Sequence, residues 1–169
     1  KEDFSEEAYF DVIRKKTAAL FKASSQSGAV SVGAVQEEVM KAGLLGEMIG
    51  IAFQIKDDIF DYFESPELGK PTGNDMLEGK LTLPALYVLN QTGDDSLKQT
   101  ALKIRSLDAS KEEIAAFVET VKERGGIEYA TRMMYEFRDK ALALVPASAD
   151  SSLKEALTAY IDYVIERNK

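Results

Sequence analysis

The sequence predicts an all-α protein, an antiparallel bundle of about seven helices. Apolar residues recur at three- and four-residue spacing over most of the chain, as they do on one face of a helix. The four prolines lie where helices are expected to begin or end. No stretch shows the strict polar–apolar alternation of a half-buried strand. The 169 residues suit one domain or part of one domain.

The first helix is predicted over residues 5–27, with Ser5 as its N-cap and two glutamates in its first turn. Its apolar face is formed by three residues at helical spacing, Tyr9, Ile13 and Leu20. A long second helix is predicted over residues 32–63, because its apolar residues continue the three–four spacing.

A loop rich in glycine and proline is predicted over residues 64–82. Helix resumes at Leu83-Pro84, because proline is tolerated in a first turn. Shorter helices are then predicted over four ranges, 95–106, 110–124, 127–145 and 151–167.

Composition excludes several kinds of chemistry. The net charge of -8 disfavours general nucleic-acid binding. The chain has no cysteine and no histidine, which excludes thiolate zinc sites, cysteine nucleophiles and a Ser-His-Asp triad. No apolar run approaches the length of a membrane span, and we expect a cytoplasmic protein. Catalysis would therefore depend on carboxylates, amines, hydroxyls and a bound metal.

Three aspartates lie near the end of the second helix. Asp57, Asp58 and Asp61, called here the aspartate triplet, follow Gln54 in an apolar segment. At about 100° per residue from Phe53, Asp57 lies near 40°, Asp61 near 80°, Gln54 near 100° and Asp58 near 140°. One arc therefore carries three carboxylates and an amide, and Asp57 is predicted to lie closest to the apolar side.

Two glycines, Gly43 and Gly50, lie on the same stripe of the second helix. Glycine costs about 1 kcal/mol relative to alanine inside a helix. We therefore interpret these glycines as leaving space for a ligand beside the carboxylates.

The aspartate triplet is predicted to bind a cation. Aspartate is a poor helix former, and like charges at i and i+4 repel each other. A solvated acidic face is the alternative, but the flanking residues are phenylalanine and isoleucine. Carboxylates in such surroundings need a compensating charge, and Mg²⁺, which takes oxygen ligands and shares them with substrate phosphates, fits best.

Lysines lie where a bound diphosphate would need them. In the first helix, Lys16 and Thr17 are predicted to border the apolar face, whereas Lys15 points away from it. Lys16 is therefore the candidate phosphate ligand, and Lys15 the solvated residue. Two further lysines lie in the glycine-rich loop after the triplet, Lys70 and Lys80, and we interpret this loop as a flap over phosphates.

Together these residues resemble the trans-isoprenyl diphosphate synthases, or polyprenyl synthases. Gln54 and the aspartate triplet are similar to the second aspartate-rich motif of that family, and Lys16-Thr17 resembles its upstream lysine–threonine pair. Lys70, Asp75 and residues 78–84 resemble the loop beyond the second motif. The first aspartate-rich motif of the family has no counterpart here. We therefore expect residues 1–169 to be the C-terminal part of one isoprenoid synthase domain, inactive alone.

The resemblance implies a Mg²⁺-dependent prenyltransferase that joins isopentenyl diphosphate head-to-tail to an allylic diphosphate. It assigns the aspartate triplet to the metal ions. It assigns Lys16, Lys70 and Lys80 to the allylic diphosphate, and Thr17 and Gln54 to the developing carbocation. The released diphosphate can take the proton, so no histidine is required. The full-length enzyme is expected to be a homodimer.

The resemblance favours a medium- to long-chain product, such as octaprenyl diphosphate. A short-chain farnesyl or geranylgeranyl diphosphate synthase is one alternative, and a noncatalytic subunit of a heteromeric synthase is another. A helical interaction module and a terpene cyclase are further rivals. The triplet and the lysines argue against the noncatalytic subunit, and the two stripe glycines with the loop lysines argue against the interaction module. The loop over residues 78–84 argues against a cyclase.

Overall fold

The computed structural model describes residues 4–63 and 72–166. Within these ranges the chain forms nine α-helices and one π-helical segment, and no β-strand. The prediction of an all-α protein is therefore confirmed. In chain order, the elements are α1 (Glu6–Ile13), the π segment (Arg14–Ala18), α2 (Ala19–Ser31), α3 (Gln36–Phe60), α4 (Asn74–Leu77), α5 (Leu83–Gln91), α6 (Asp95–Arg105), α7 (Lys111–Glu123), α8 (Gly126–Ala143) and α9 (Ser151–Glu166).

The helices divide between two compact units, each with its own apolar core. Of the described residues, unit 1 contains 4–9 and 57–131, and unit 2 contains 10–56 and 132–166. Fully buried core residues include Ile104, Phe117 and Val121 in unit 1, and Ala18, Ile161 and Ile165 in unit 2. None of the helices in the described ranges is long and apolar enough to cross a lipid bilayer.

The first predicted helix changes its pitch at the π segment. Tyr9, before this segment, is buried as the apolar face predicts, whereas Leu20, after it, is 70% exposed. A π turn contains more residues than an α turn. Beyond it, the residues that face the core therefore come later in the sequence than regular α-helical spacing predicts. Phe21 takes the position expected for Leu20, and its ring lies 5.2 Å from the ring of Phe53.

The second predicted helix begins at Gln36, four residues later than expected, because a turn separates α2 from α3. Gly33 adopts a left-handed backbone conformation with φ of 74°. Its N–H donates to the carbonyl of Val30 at 3.0 Å, and the N–H of Ala34 donates to that of Ala29 at 3.1 Å. These bonds close the C-terminus of α2.

Glycines on α3 let α2 pack directly against it. A Cβ atom at Gly50 would lie 2.6 Å from the Cα atom of Ala18, and one at Gly43 would lie 2.8 Å from the side chain of Gln26. The interpretation that Gly43 and Gly50 leave space for a ligand is therefore wrong. The preceding helix fills that space.

The remaining helices follow the predicted boundaries closely. Asp94 caps α6 by accepting a hydrogen bond from the N–H of Leu97, and Ser110 and Glu113 form a capping box at α7. Gly125, with φ of 80°, provides the predicted break before α8. Within the predicted loop, α4 is an additional short helix. Residues 64–71 of that loop and the predicted helix end at residue 167 lie outside the described residues.

Candidate active site

The aspartate triplet lies at the C-terminal end of α3 and just beyond it. The buried face of this part of the helix is formed by three isoleucines, Ile51, Ile55 and Ile59. On the wheel used above they fall near 160°, 200° and 240°. Asp58 borders this face and is 4% exposed, whereas Asp57 is half-buried. The prediction that Asp57 lies closest to the apolar side is therefore wrong, because Phe53 does not mark the buried face.

Tyr9 provides the polar partner of the buried Asp58. Its hydroxyl donates to Oδ2 of Asp58 at 2.5 Å. Burial, and then the charge of Asp58, raise the pKa of Tyr9 well above its usual 10.0, so the hydroxyl keeps its proton. The bond replaces water that the carboxylate loses on burial. The sequence did not indicate this role, because a tyrosine on an apolar helix face is usually a core residue.

A second buried tyrosine lies one turn after Asp58. The Tyr62 hydroxyl is fully buried, and it forms no hydrogen bond with any residue the structure describes. Thr82 and the backbone of Ala85 lie close to it, but without hydrogen-bond geometry. Burial raises the pKa of Tyr62. Of the two tyrosines, therefore, only Tyr9 bonds to the triplet.

Asp61 fixes the segment that leads into α4. Its backbone carbonyl accepts a hydrogen bond from the N–H of Gly73 at 2.8 Å, and its Oδ2 accepts one from the N–H of Asp75 at 3.0 Å. Gly73 has φ of 76°, and a Cβ atom there would lie 2.8 Å from Ile114. The loop residue Asp75, predicted from the resemblance, therefore lies beside the triplet.

Lys80, one of the predicted phosphate ligands, is held by carboxylates of the same loop. Its Nζ lies 2.5 Å from Glu78 and 3.7 Å from Asp75. The hydrogen bond to Glu78 raises the pKa of Lys80, which keeps its charge. The side chain is 48% exposed, so an incoming phosphate can reach it. Lys70, the other loop lysine, lies outside the described residues.

In unit 2 the structure brings two predicted site residues together. The hydroxyl of Thr17, in the π segment, donates to Oε1 of Gln54 at 2.8 Å. Lys16 is exposed, and no carboxylate in the described ranges forms an ion pair with it. Lys15 is also exposed but pairs with Asp11 at 2.6 Å. Among the residues that the structure describes, the ammonium group of Lys16 therefore has no carboxylate partner, whereas Lys15 pairs with Asp11.

Glu47 is a buried charge that the sequence analysis missed. It is 8% exposed and lies on α3. Arg14, in the π segment, approaches it to 3.1 Å, and Lys22, in α2, approaches it to 2.8 Å. The sequence does carry a signal for this role, because Glu47 lies on the same side of α3 as the stripe of glycines. A helix that packs closely against those glycines buries Glu47, and a buried carboxylate requires a cationic partner.

The triplet has the donor chemistry for Mg²⁺ but does not form a closed cage. Among the residues the structure describes, no three acidic side chains converge closely enough to hold an ion on their own. Mg²⁺ is usually bound through one or two carboxylates, waters and substrate phosphates. Asp57 and Asp61 are half-buried and four residues apart, so they lie on one side of the chain. The residues therefore fit a cation that a bound diphosphate shares.

Comparison with known proteins identifies the family of the chain. The Polyprenyl synthetase family matches residues 1–121, which include every predicted site residue. The short chain isoprenyl diphosphate synthase of Methanothermobacter thermautotrophicus is 34% identical over 166 residues. That alignment covers 98% of this chain and 50% of the relative. The chain therefore spans about half the length of this relative.

Solved structures share the fold. Geranylgeranyl pyrophosphate synthase from Bacteroides thetaiotaomicron is 57% identical with a TM-score of 0.93, over 99% of this chain and 55% of that one. A polyprenyl synthase from Caulobacter crescentus, complexed with calcium and isoprenyl diphosphate, is 30% identical with a TM-score of 0.86, over 99% and 52%. The helices are those of an isoprenoid synthase, as the resemblance implied. With its family match over most of the sequence, the chain belongs to the polyprenyl synthetase family.

Proposed function

We propose that this chain forms the C-terminal half of a Mg²⁺-dependent prenyl diphosphate synthase. The reaction joins isopentenyl diphosphate head-to-tail to an allylic diphosphate and extends the prenyl chain. One observation carries the proposal: the end of α3 presents three carboxylates, of which Asp58 is anchored in the core and Asp57 and Asp61 remain accessible. A solvated acidic face would not bury one of its charges.

The aspartate triplet is the proposed metal-binding group. Bound Mg²⁺ would supply Lewis-acid stabilisation of the departing diphosphate. Asp57 and Asp61 provide accessible oxygen ligands, and Asp58 adds its negative charge from the buried side. The calcium and isoprenyl diphosphate in the Caulobacter crescentus enzyme support a site of this type.

Lysines of this chain bind the allylic diphosphate in the proposed enzyme. Lys16 is exposed and unpaired within the described ranges, so its charge is available to a phosphate. The ammonium group of Lys80 pairs with Glu78 and also binds the incoming phosphate. Lys70 is the third lysine of the proposed diphosphate site. The released diphosphate accepts the proton lost during condensation, which suits a chain without histidine.

Thr17 and Gln54 face the developing carbocation in this proposal. The hydrogen bond between them fixes the amide of Gln54, and it turns the hydrogen of Thr17 Oγ1 toward that amide. The lone pairs of the hydroxyl oxygen are then available to a positive charge. Oxygen dipoles that are fixed before the reaction stabilise a cation without reorganisation.

Two product classes remain under this proposal. The sequence favours a medium- to long-chain product, such as octaprenyl diphosphate. The 57% identity with a geranylgeranyl pyrophosphate synthase favours the short-chain alternative instead. A homodimer and a cytoplasmic location are also proposed for the full-length protein, to be tested by light scattering and by cell fractionation.

The test is a condensation assay on the purified full-length protein. Radiolabelled isopentenyl diphosphate is mixed with an allylic primer, with Mg²⁺ or with excess EDTA, and the products are separated by chain length. We expect labelled prenyl diphosphates only with Mg²⁺. No product with any allylic primer would instead support the noncatalytic subunit, which should then stimulate a catalytic partner.

A further inference from the structure

Tyr9 and Asp58 form a buried polar contact between two residues that are 49 positions apart. Asp58 is 4% exposed and Tyr9 is 9% exposed, so water cannot readily replace either partner. A hydrogen bond from a fixed donor restricts the rotation of a buried carboxylate about its side-chain bonds. The contact therefore sets the orientation of one member of the aspartate triplet.

The support of Tyr9 is itself well anchored within unit 1. The carbonyl of Phe4, at the start of this segment, accepts a hydrogen bond from the amide of Asn90 at 3.0 Å. Glu6 accepts one from the hydroxyl of Tyr129 at 2.6 Å. The chain just before Tyr9 is thus bonded to α5 and α8, and the hydroxyl is presented from a fixed position. A residue that orients a binding group needs such support.

We propose that Tyr9 is a positioning residue for the metal-binding carboxylates, acting through its hydrogen bond to Asp58. The inference rests on the proposed function, because it assumes that the triplet binds a divalent cation. It goes beyond that function by adding a residue outside the motif. Hydrogen-bond partners of ligating groups typically affect metal affinity by about 10–100-fold when they are removed.

Tyr62 offers a matched control for the loss of a buried hydroxyl. It is even more buried than Tyr9 and follows Asp58 by four residues, but its hydroxyl bonds to none of the described residues. Tyr9→Phe and Tyr62→Phe therefore remove the same atom from similar surroundings. Only Tyr9→Phe removes a bond to the triplet.

The experiment measures Mn²⁺ binding to the full-length protein by electron paramagnetic resonance, with inorganic pyrophosphate present. We expect about tenfold weaker Mn²⁺ binding for Tyr9→Phe, and a change within about twofold for Tyr62→Phe. In an Asp58→Asn background, Tyr9→Phe should have no further effect on Mn²⁺ binding, since its effect passes through Asp58. Circular dichroism confirms that each variant is folded under the assay conditions.

The outcomes separate this inference from the proposed function. If the wild-type protein binds Mn²⁺ and Tyr9→Phe binds it equally well, the inference is overturned and the proposed function stands. If Tyr9→Phe weakens binding equally in the Asp58→Asn background, or fails to fold, the hydroxyl serves the fold and the inference is again overturned. If the wild-type protein binds no Mn²⁺ even with pyrophosphate, the metal site of the proposed function fails, and the inference fails with it.

Discussion

Two buried carboxylates, Asp58 and Glu47, satisfy their charges in different ways. Asp58 accepts a hydrogen bond from the neutral hydroxyl of Tyr9, whereas Glu47 pairs with two cations, Arg14 and Lys22. A carboxylate that is neutralised by two cations has little charge left to attract a metal ion. The two cations at Glu47 therefore explain why the middle of α3 is not the candidate metal site.

The two adjacent lysines of the π segment give a residue-scale prediction. Lys16→Ala should raise the KM for the allylic diphosphate or slow its ionisation, because Lys16 has an unpaired charge among the described residues. Lys15→Ala should be nearly silent, since Asp11 already neutralises Lys15. Steady-state titrations of the allylic substrate with the full-length protein test both variants. Equal losses in the two variants would show that the assignment of Lys16 is mistaken.

At the scale of residues, the sequence identified the acidic groups but not their surroundings. Three aspartates in an apolar segment are visible in the sequence because aspartate disfavours helix interiors. Tyr9 was not identified as their partner, because a bond over 49 positions depends on tertiary packing. The order of burial within the triplet was also misjudged, since α3 is apolar on more than one side.

At the scale of elements, α2 and α3 pack closely because glycines remove side chains from the contact. The backbone of Ala18 lies where a Cβ atom of Gly50 would be, so no other residue fits without movement. The π segment ends at Ala18, the residue that Gly50 approaches. The helix pair therefore fixes Thr17 relative to Gln54, which lies one turn beyond Gly50.

A pair of glycine substitutions tests this packing. Gly50→Ala should lower the free energy of unfolding by about 1–3 kcal/mol, because its Cβ atom would overlap Ala18. Gly28→Ala, on α2, meets nothing within 4 Å and should raise it by about 0.5–1 kcal/mol through better helix propensity. Denaturant titrations of the full-length protein measure both changes. A Gly50→Ala variant as stable as wild type would contradict the close contact.

Helices were predictable from the sequence because their apolar spacing and caps are local signals. The capping residues before α6 and α7 are examples, since each bonds within its own first turn. The π segment was not predicted, because the apolar spacing was assigned to a regular α-helix. The glycines of α3 were misinterpreted for a related reason: a small residue makes space equally for a ligand or for a helix.

At the scale of the whole molecule, the chain resembles half of a larger enzyme. It spans about half of each relative described above. Unit 2 also exposes large apolar side chains on its first three helices and the turn between them. These exposed residues are Val12, Leu20, Val30, Val32, Val35, Met40 and Leu44. Apolar groups in such numbers normally contact other protein surfaces.

The 169-residue chain alone should therefore be inactive and prone to self-association. Ionisation of the substrate requires charge stabilisation from two sides of the diphosphate, and this chain has one aspartate-rich motif. Light scattering should show oligomers or aggregates, and the radiolabelled condensation assay should give no product above background. Product formed by the isolated chain would show that one motif is sufficient for catalysis.

Asp57 tests most directly whether the aspartate triplet is the metal-binding part of a prenyl diphosphate synthase. Asp57 is half-buried on the accessible side of α3, so Asp57→Asn removes a ligand charge with almost no change in shape. The matched control is Asp95→Asn, an exposed aspartate in the first turn of α6.

The measurement is the steady-state turnover of the full-length protein at saturating Mg²⁺, for wild type and both variants. We predict that Asp57→Asn lowers turnover by at least about two decades, as the loss of a major electrostatic stabiliser does, while Asp95→Asn leaves it unchanged. An Asp57→Asn variant whose turnover stays within about threefold of wild type would contradict the metal-binding role, because the loss of one such stabiliser typically lowers turnover by about two to three decades.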